Sequence, residues 1–183
     1  MGLTVKIVIL AAVMAVLPSD AAAQRRAPAA DSAAVGGDVG LFLPADDQLS
    51  KSATLEGFYE YYMAPRTSIR LGLGWTNPEF DRDPNLSIRH LRIAVDGVYN
   101  WEKGAIHPFA GGGLGIYFLQ PRAGDANVGD SESKLGGTVF GGVELFATRT
   151  LAVKGEARYH LIRNAGDLDP DGLALTVGLK KYF

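Results

Sequence analysis

Histidines are the first residues to consider for acid–base chemistry, because a histidine side chain can exchange a proton near neutral pH. The sequence contains His90, His107 and His160. A catalytic histidine activates a nearby nucleophile such as a serine hydroxyl, but His160 is followed by Leu161 and Ile162. We therefore interpret the histidines as buried, hydrogen-bonded side chains. No catalytic residue is predicted.

Paired carboxylates are the second possible source of catalysis, since two acids in different environments can serve as acid and base. Four glutamates are candidates for such pairs: Glu56, Glu60, Glu144 and Glu156. Basic residues on the same face of the predicted strands explain them better as partners in structural ion pairs: Arg70, Arg92, Lys154 and Arg158. Such networks perturb pKa values without any catalysis.

The segment DLDPDG, residues 167–172, imitates the start of an EF-hand calcium loop. That loop needs a bidentate glutamate at its twelfth position, where this chain has Gly178. We predict no full calcium site, no metal site and no cofactor. Loose binding of a divalent cation by the three aspartates of this segment stays open as an alternative.

The beginning of the chain has the pattern of a secretory signal peptide. Lys6 supplies a positive charge, residues 7–17 are apolar, and Ala21–Ala23 matches a small-residue cleavage site. We predict a signal peptide over residues 1–23, a flexible periplasmic tail over 24–36, and a barrel domain over 37–183. The chain has no cysteine, so no disulfide framework is available to the exported protein.

From residue 37 onward, apolar and polar residues alternate with a period of two, which is typical of strands. We predict eight strands, over residues 37–43, 53–63, 67–76, 86–101, 106–120, 134–147, 151–163 and 172–183. Short connections alternate with long, polar ones. An even number of strands with this asymmetry is typical of outer-membrane barrels. The sequence thus predicts an all-β fold, an eight-stranded antiparallel transmembrane β-barrel with short periplasmic turns and longer extracellular loops.

The two faces of the predicted strands differ in chemistry. One face is apolar, as in Leu71, Leu73 and Trp75, and we assign it to lipid. The other face carries six acids and six bases, which we expect to pair inside the lumen: Asp38, Glu56, Glu60, Asp96, Glu144 and Glu156, with Arg70, Arg92, Lys134, Lys154, Arg158 and Lys180.

Charges on the apolar face occur only near strand ends, where a membrane tolerates them: Arg89, Arg163 and Lys181. Apolar-face aromatics also cluster near the two ends, as interfacial belts do. A soluble lipocalin-like barrel is the rival architecture, and the segment GLGW at residues 72–75 contains its Gly-x-Trp motif. That motif belongs on a first strand, however, and here it falls on the third.

Three stretches resemble the OmpA/OmpX-like superfamily of small outer-membrane barrels: PFAGGGLG at residues 108–115, GGVEL at 141–145 and LTVGLKKYF at 175–183. The resemblance implies an eight-stranded barrel in the outer membrane. It also implies that the barrel assembly machinery reads the C-terminal strand ending in Phe183, although Lys181 departs from the usual apolar residue. A lipid A deacylase of similar size uses a His-x-Ser pair, which this chain lacks after His160.

We expect a non-enzymatic, monomeric protein with a structural, adhesive or surface-interaction role and a lumen filled by side chains. A carrier or narrow channel for small apolar ligands is one alternative, with inward aromatics lining its pocket: Phe42, Phe58, Phe109, Tyr117, Phe140 and Phe146. A lipid-modifying outer-membrane enzyme is the other. The expected partners are outer-membrane lipid and lipopolysaccharide, the latter near acidic loops. A net charge of -2 argues against nucleic acid.

Overall fold

In the computed structural model, the described residues are 28–101, 106–124, 126–162 and 169–183. They form ten strands: β1 (Ala33–Pro44), β2 (Ser52–Ala64), β3 (Thr67–Thr76), β4 (Glu79–Phe80), β5 (Asp83–Asn100), β6 (Ile106–Ala123), β7 (Ala126–Asn127), β8 (Glu132–Phe146), β9 (Leu151–Ile162) and β10 (Gly172–Tyr182). The predicted signal peptide and Arg163 lie outside the described residues. Within the described ranges, no helix has the length and apolar character needed to cross a membrane.

The eight long strands close into an antiparallel barrel. The order is β5-β3-β2-β1-β10-β9-β8-β6, and β6 pairs with β5 to complete the circle. Closure joins the two ends of the chain, because β1 pairs with β10 over eleven positions from Ala34↔Tyr182 to Pro44↔Gly172. The two-residue strands β4 and β7 extend this sheet beside β5 and β6. Every long strand therefore has two neighbours, and closure removes the exposed edges.

The first strand begins earlier than the sequence pattern predicts. It starts at Ala33, so residues 33–36 belong to the barrel and not to the tail. Ala34 pairs with Glu60 of β2 and is fully buried. Alternation is hard to recognise in this stretch because its residues are small. A small side chain is required there, since Ala34 packs under Tyr62 and Tyr182 at the end of the lumen.

The two faces lie as the alternation predicts. The outward face exposes large apolar side chains around the barrel, among them Val39, Leu41, Leu55, Leu71, Leu73, Val95, Leu114, Leu135, Val139, Leu175 and Leu179. The inward face buries charged and aromatic side chains instead. This is the reverse of a soluble barrel, whose apolar side chains point inward around a ligand. The structure therefore favours the membrane barrel over the lipocalin-like alternative.

Inward glycines make room for inward rings and charges. Phe58 lies against Gly36 and Phe140 against Gly111, each on the neighbouring strand, and a Cβ on either glycine would overlap the ring. Gly178 faces Asp38 in the same way, as its cross-strand partner. A narrow eight-stranded barrel has space only for such complementary pairs. The glycines thus determine where large side chains can lie.

The two ends of the barrel are closed by different means. At the turn end, where β1 begins and β10 ends, a small cluster of buried side chains fills the lumen: Ala34, Tyr62, Phe146, Ala152 and Tyr182. At the loop end, an apolar cluster that we call the outer cap combines loop and strand residues: Leu49, Phe80, Ile88, Tyr117, Leu119 and Ile162.

Hydrogen bonds tie the long loops into this cap. Leu49 and Phe80 form a β-bridge between two loops. The Ser50 backbone N–H donates to the Glu79 carbonyl oxygen at 2.8 Å, and that of Ala45 donates to the Asp171 carbonyl oxygen at 2.9 Å. The loop end is therefore covered by packed chain.

Replacing Gly178 by alanine should destabilise the barrel. Its Cβ would overlap the Asp38 carboxylate and the Gly37 carbonyl oxygen, and overpacking typically costs about 1–3 kcal/mol of folding free energy. Gly57→Ala is the matched control, because that Cβ would meet nothing within 4 Å. Urea titration of the protein folded in lipid vesicles measures both. Equal stability of the two variants would contradict this account of the inward glycines.

Candidate functional site: the charged lumen

Glu156 lies at the centre of the lumen and contacts three cations. Its carboxylate accepts hydrogen bonds from Arg70 Nη1 at 2.8 Å, Lys154 Nζ at 2.9 Å and Arg158 Nε at 2.8 Å. All four side chains are almost completely buried. A carboxylate surrounded by three cations is held firmly in its ionised form, and this arrangement joins two halves of what we call the lumen network.

The half toward the turn end is built around Glu60 and Lys180. Glu60 accepts from Arg70 Nε at 2.9 Å and from the Ser68 hydroxyl at 2.6 Å. Lys180 Nζ lies 2.9 Å from Glu60 and 2.8 Å from Glu144, and it also donates to the Tyr62 hydroxyl at 2.7 Å. The Tyr182 hydroxyl donates to Glu144 as well. Every one of these charges has a partner of opposite sign.

The half toward the loop end is built around Arg158 and Arg92. Arg158 Nη1 lies 2.8 Å from Asp96, and its Nη2 lies 3.5 Å from Glu56. Arg92 Nη2 lies 2.6 Å from the other oxygen of Glu56. The Thr138 hydroxyl completes this part by donating to Asp96 at 3.0 Å. The two halves thus share Arg158 and Glu156.

Aromatic rings separate the lumen cations from one another and cover them. The Arg70 guanidinium lies 4.6 Å from the centre of the Phe58 ring, and Arg158 lies 4.0 Å from that of Phe140. Lys154 Nζ lies 4.4 Å from the Phe58 ring and 2.6 Å from Asp38. Cation–π attraction adds to the ion pairs at such distances. The inward aromatics are thus part of the network.

The predicted balance of six acids and six bases is wrong by one base. Lys134 does not join the lumen network; it pairs with Glu132 at 2.8 Å near the loop end, with 24% of its side chain exposed. The inward charges of the network are six acids and five bases: Asp38, Glu56, Glu60, Asp96, Glu144 and Glu156, with Arg70, Arg92, Lys154, Arg158 and Lys180. The position of Lys134 one turn from the end of β8 explains the difference, because a long side chain there can reach water.

The histidines are buried, as the sequence analysis predicts. Nδ1 of His160 lies 2.9 Å from the Tyr117 hydroxyl. His90 lies edge-on to Phe42, with ring centres 5.9 Å apart. His107 packs on Phe146 at the turn end. None of these contacts pairs a histidine with a serine or threonine hydroxyl.

The four glutamates considered as paired catalytic acids each lie beside a lumen cation, as predicted. In the part of the chain that the structure describes, no group of three or more histidines and acids could hold a metal ion. Asp169 and Asp171 are described, whereas Asp167 is not. The geometry is that of a structural network, in which charges neutralise one another.

The acidic loops also contain groups that the sequence analysis did not connect. One Asp171 carboxylate oxygen accepts the Ile162 backbone N–H at 2.5 Å, and an Asp46 oxygen accepts that of Asp169 at 3.1 Å. Burial raises the pKa of the Asp171 carboxyl, and the charge of Asp169 raises it further, against the lowering effect of the Ile162 N–H. The loop apolar residues Leu49 and Phe80 were the available signal, since isolated apolar residues in polar loops often pack against the core.

Comparison with known proteins agrees with this geometry. The model of the family described as outer membrane protein beta-barrel domain matches residues 9–180. No curated protein matches the chain.

Among solved structures, Neisserial surface protein A is similar to 85% of this chain over 99% of its own, with a TM-score of 0.69 and 14% identity. Ail, the attachment invasion locus protein of Yersinia pestis, is similar over 84% and 99% of the two chains, with a TM-score of 0.57 and 11% identity. The outer membrane enzyme PagL is similar over 81% and 98%, with a TM-score of 0.51 and 17% identity.

At such low identities these likenesses establish the shared fold, while the family model covers nearly the whole chain. A closed barrel of eight long antiparallel strands, apolar outside and ionic inside, is what that family's name describes. The protein belongs to the outer membrane protein beta-barrel domain family.

Proposed function

We propose that this protein is an integral outer-membrane barrel with a structural or surface-interaction role and a lumen closed by its own side chains. The observation that carries the proposal is the buried lumen network, which crosses the barrel from Asp38 to Glu144 through paired charges. The protein reaches the membrane by export, with residues 1–23 as the cleaved signal peptide. Folding uses the barrel assembly machinery acting on the C-terminal strand.

A closed lumen is supported by what lies between the two ends of the barrel. Buried cations, carboxylates and rings alternate along the axis, and the outer cap covers one end. The inward aromatics that could line an apolar pocket instead contact Arg70, Lys154 and Arg158. A cavity beside Phe42 and Tyr117 measures about 30 Å³. That volume is far below the roughly 300 Å³ of a small-molecule pocket, so the apolar carrier is the weaker hypothesis.

A surface role is supported by the loop end. Its loops are joined to one another and carry acids such as Asp46, Asp81 and Asp169. One structural neighbour is named for attachment and invasion, which makes adhesion one form that this role could take. The acids would also hold divalent cations against lipopolysaccharide phosphates. A monomer is expected, because every long strand already has two partners.

A lipid-modifying enzyme is the second class, represented among the structural neighbours by PagL. The present chain offers less for such chemistry. Its carboxylates face cations in the lumen and not lipid, and its described histidines have aromatic or tyrosine neighbours. Unchanged lipid A mass spectra after overexpression would agree with the structural role, and a modified lipid A would overturn it.

Planar-bilayer recordings test the closed lumen. The purified, folded protein should give no stable, large conductance steps, because the lumen network leaves no continuous water path along the axis. An open porin reconstituted in parallel is the positive control. Stable large steps from the pure protein would exclude the filled lumen.

Glu156→Gln should strongly destabilise the barrel, since it leaves Arg70, Lys154 and Arg158 without their shared anion. Removing one partner of a buried ion pair costs about 3–5 kcal/mol of folding free energy. Glu132→Gln removes the partner of Lys134 in an exposed pair, and should cost only about 0–1 kcal/mol. Folding titrations in vesicles give both values. Equal, small losses would show that the network is dispensable.

Val95→Arg tests the lipid-facing belt. Val95 lies on the outward face of β5, about midway between Arg89 at one end and Trp101 at the other. At the midplane an arginine should cost about 2–4 kcal/mol of folding free energy in a bilayer. Leu86→Arg, which is beyond Arg89 toward the loop end, should cost about 0–1 kcal/mol. A depth-independent cost in vesicles would argue against this placement in the membrane.

A further inference from the structure

A small cavity lies inside the barrel directly beneath the outer cap. It measures about 30 Å³, and its wall includes Phe42, His90, Arg92, Tyr117 and His160. Tyr117 also belongs to the outer cap, so the cap forms the roof of the cavity. Toward the turn end the cavity stops at Glu156 and Arg158 of the lumen network. The space is therefore a closed pocket in the loop half of the lumen.

Three polar atoms of the cavity wall have no protein partner. Nε2 of His90, Nη1 of Arg92 and Oε1 of Glu56 make no hydrogen bond within the described residues. His90 is only 4% exposed and Arg92 only 3%. Buried polar groups in folded proteins nearly always have a partner, either protein or ordered water. Unpartnered atoms of three side chains around one cavity thus point to a bound molecule.

Charge decides what kind of molecule it is. The cations of the wall, Arg92 and Arg158, are matched by the anions Glu56 and Glu156. The lumen network as a whole already has one acid more than its bases, so a buried anion would add to an existing excess. A cation would be repelled by the N–H groups of Arg92. A neutral molecule that both accepts and donates hydrogen bonds satisfies all three atoms.

The size of the cavity selects among neutral molecules. One water molecule needs about 10–15 Å³ of cavity volume measured in this way, so the space holds about two. Water accepts from Arg92 Nη1 and donates to Glu56 Oε1, and it suits His90 Nε2 in either tautomer. We propose that this cavity is a specific hydration site, in which water links His90, Arg92 and Glu56 under the outer cap.

This site makes the two halves of the lumen different in kind. The turn half is dry, because its charges contact one another and the tyrosine hydroxyls directly. The loop half completes its network through solvent. Water reaches it from the loop end only when the outer cap moves, since the lumen network closes the other side. The inference concerns the interior alone and goes beyond the proposed surface role, so a conductance measurement does not decide it.

High-resolution crystallography of the full barrel in detergent tests the site, with bromide as a probe for anions. We expect ordered water within hydrogen-bond distance of both His90 Nε2 and Arg92 Nη1, and no anomalous bromide signal in the cavity. A bromide peak would overturn the proposal in favour of an anion site. A cavity without ordered density, or one filled by rearranged side chains, would overturn it as well.

Two substitutions at His90 give a second test. His90→Phe keeps a ring beside Phe42 but has no polar atom, so the water density next to residue 90 should be lost. His90→Gln retains a polar side chain and should keep it. His107→Phe, at the opposite end of the lumen, is the control and should leave the density unchanged. Heat-modifiable migration in detergent gels establishes that each variant is folded. Density that persists in His90→Phe would contradict the assignment.

Discussion

The contact of Glu156 with Arg70, Lys154 and Arg158 is the interaction on which the rest of the interior depends. Each isolated charge in a dry lumen would cost several kcal/mol, so no member of this set can be buried without the others. The three cations lead outward to Glu60, Asp38 and Asp96. Strand register follows from this requirement, because slipping a strand by one residue would turn its charges toward lipid.

Backbone geometry and charge pairing constrain each other in this barrel. Eight strands enclose an interior only wide enough for side chains, and arginine, lysine and phenylalanine are large. Glycines opposite them provide the volume, as at Gly36 beside Phe58 and Gly178 beside Asp38. Outside, no such compensation is needed, because lipid adapts to any apolar surface. The outward face can therefore vary in composition, while the inward face is a fixed packing problem.

Most of the architecture could be predicted from the sequence, because period-two alternation gives both the strands and their faces. Charge pairing could be predicted only in kind. The pattern places Lys134 inward, yet its position near the end of β8 lets it reach Glu132 and water. Similarly, Ala34 and Gly36 carry no alternation signal, so β1 begins earlier than predicted. The cap formed by Leu49 and Phe80 depends on contacts between loops distant in sequence, which no local pattern contains.

The joining of loops at the outer cap affects how the molecule presents itself to its surroundings. Residues near 45–50, 79–81 and 169–171 are far apart in the chain, but they lie side by side through backbone hydrogen bonds. Anything that recognises this end of the folded protein, including an antibody, meets a discontinuous epitope assembled from several loops. A linear peptide copied from one loop would present only a fraction of that surface, and without the geometry that the neighbouring loops impose.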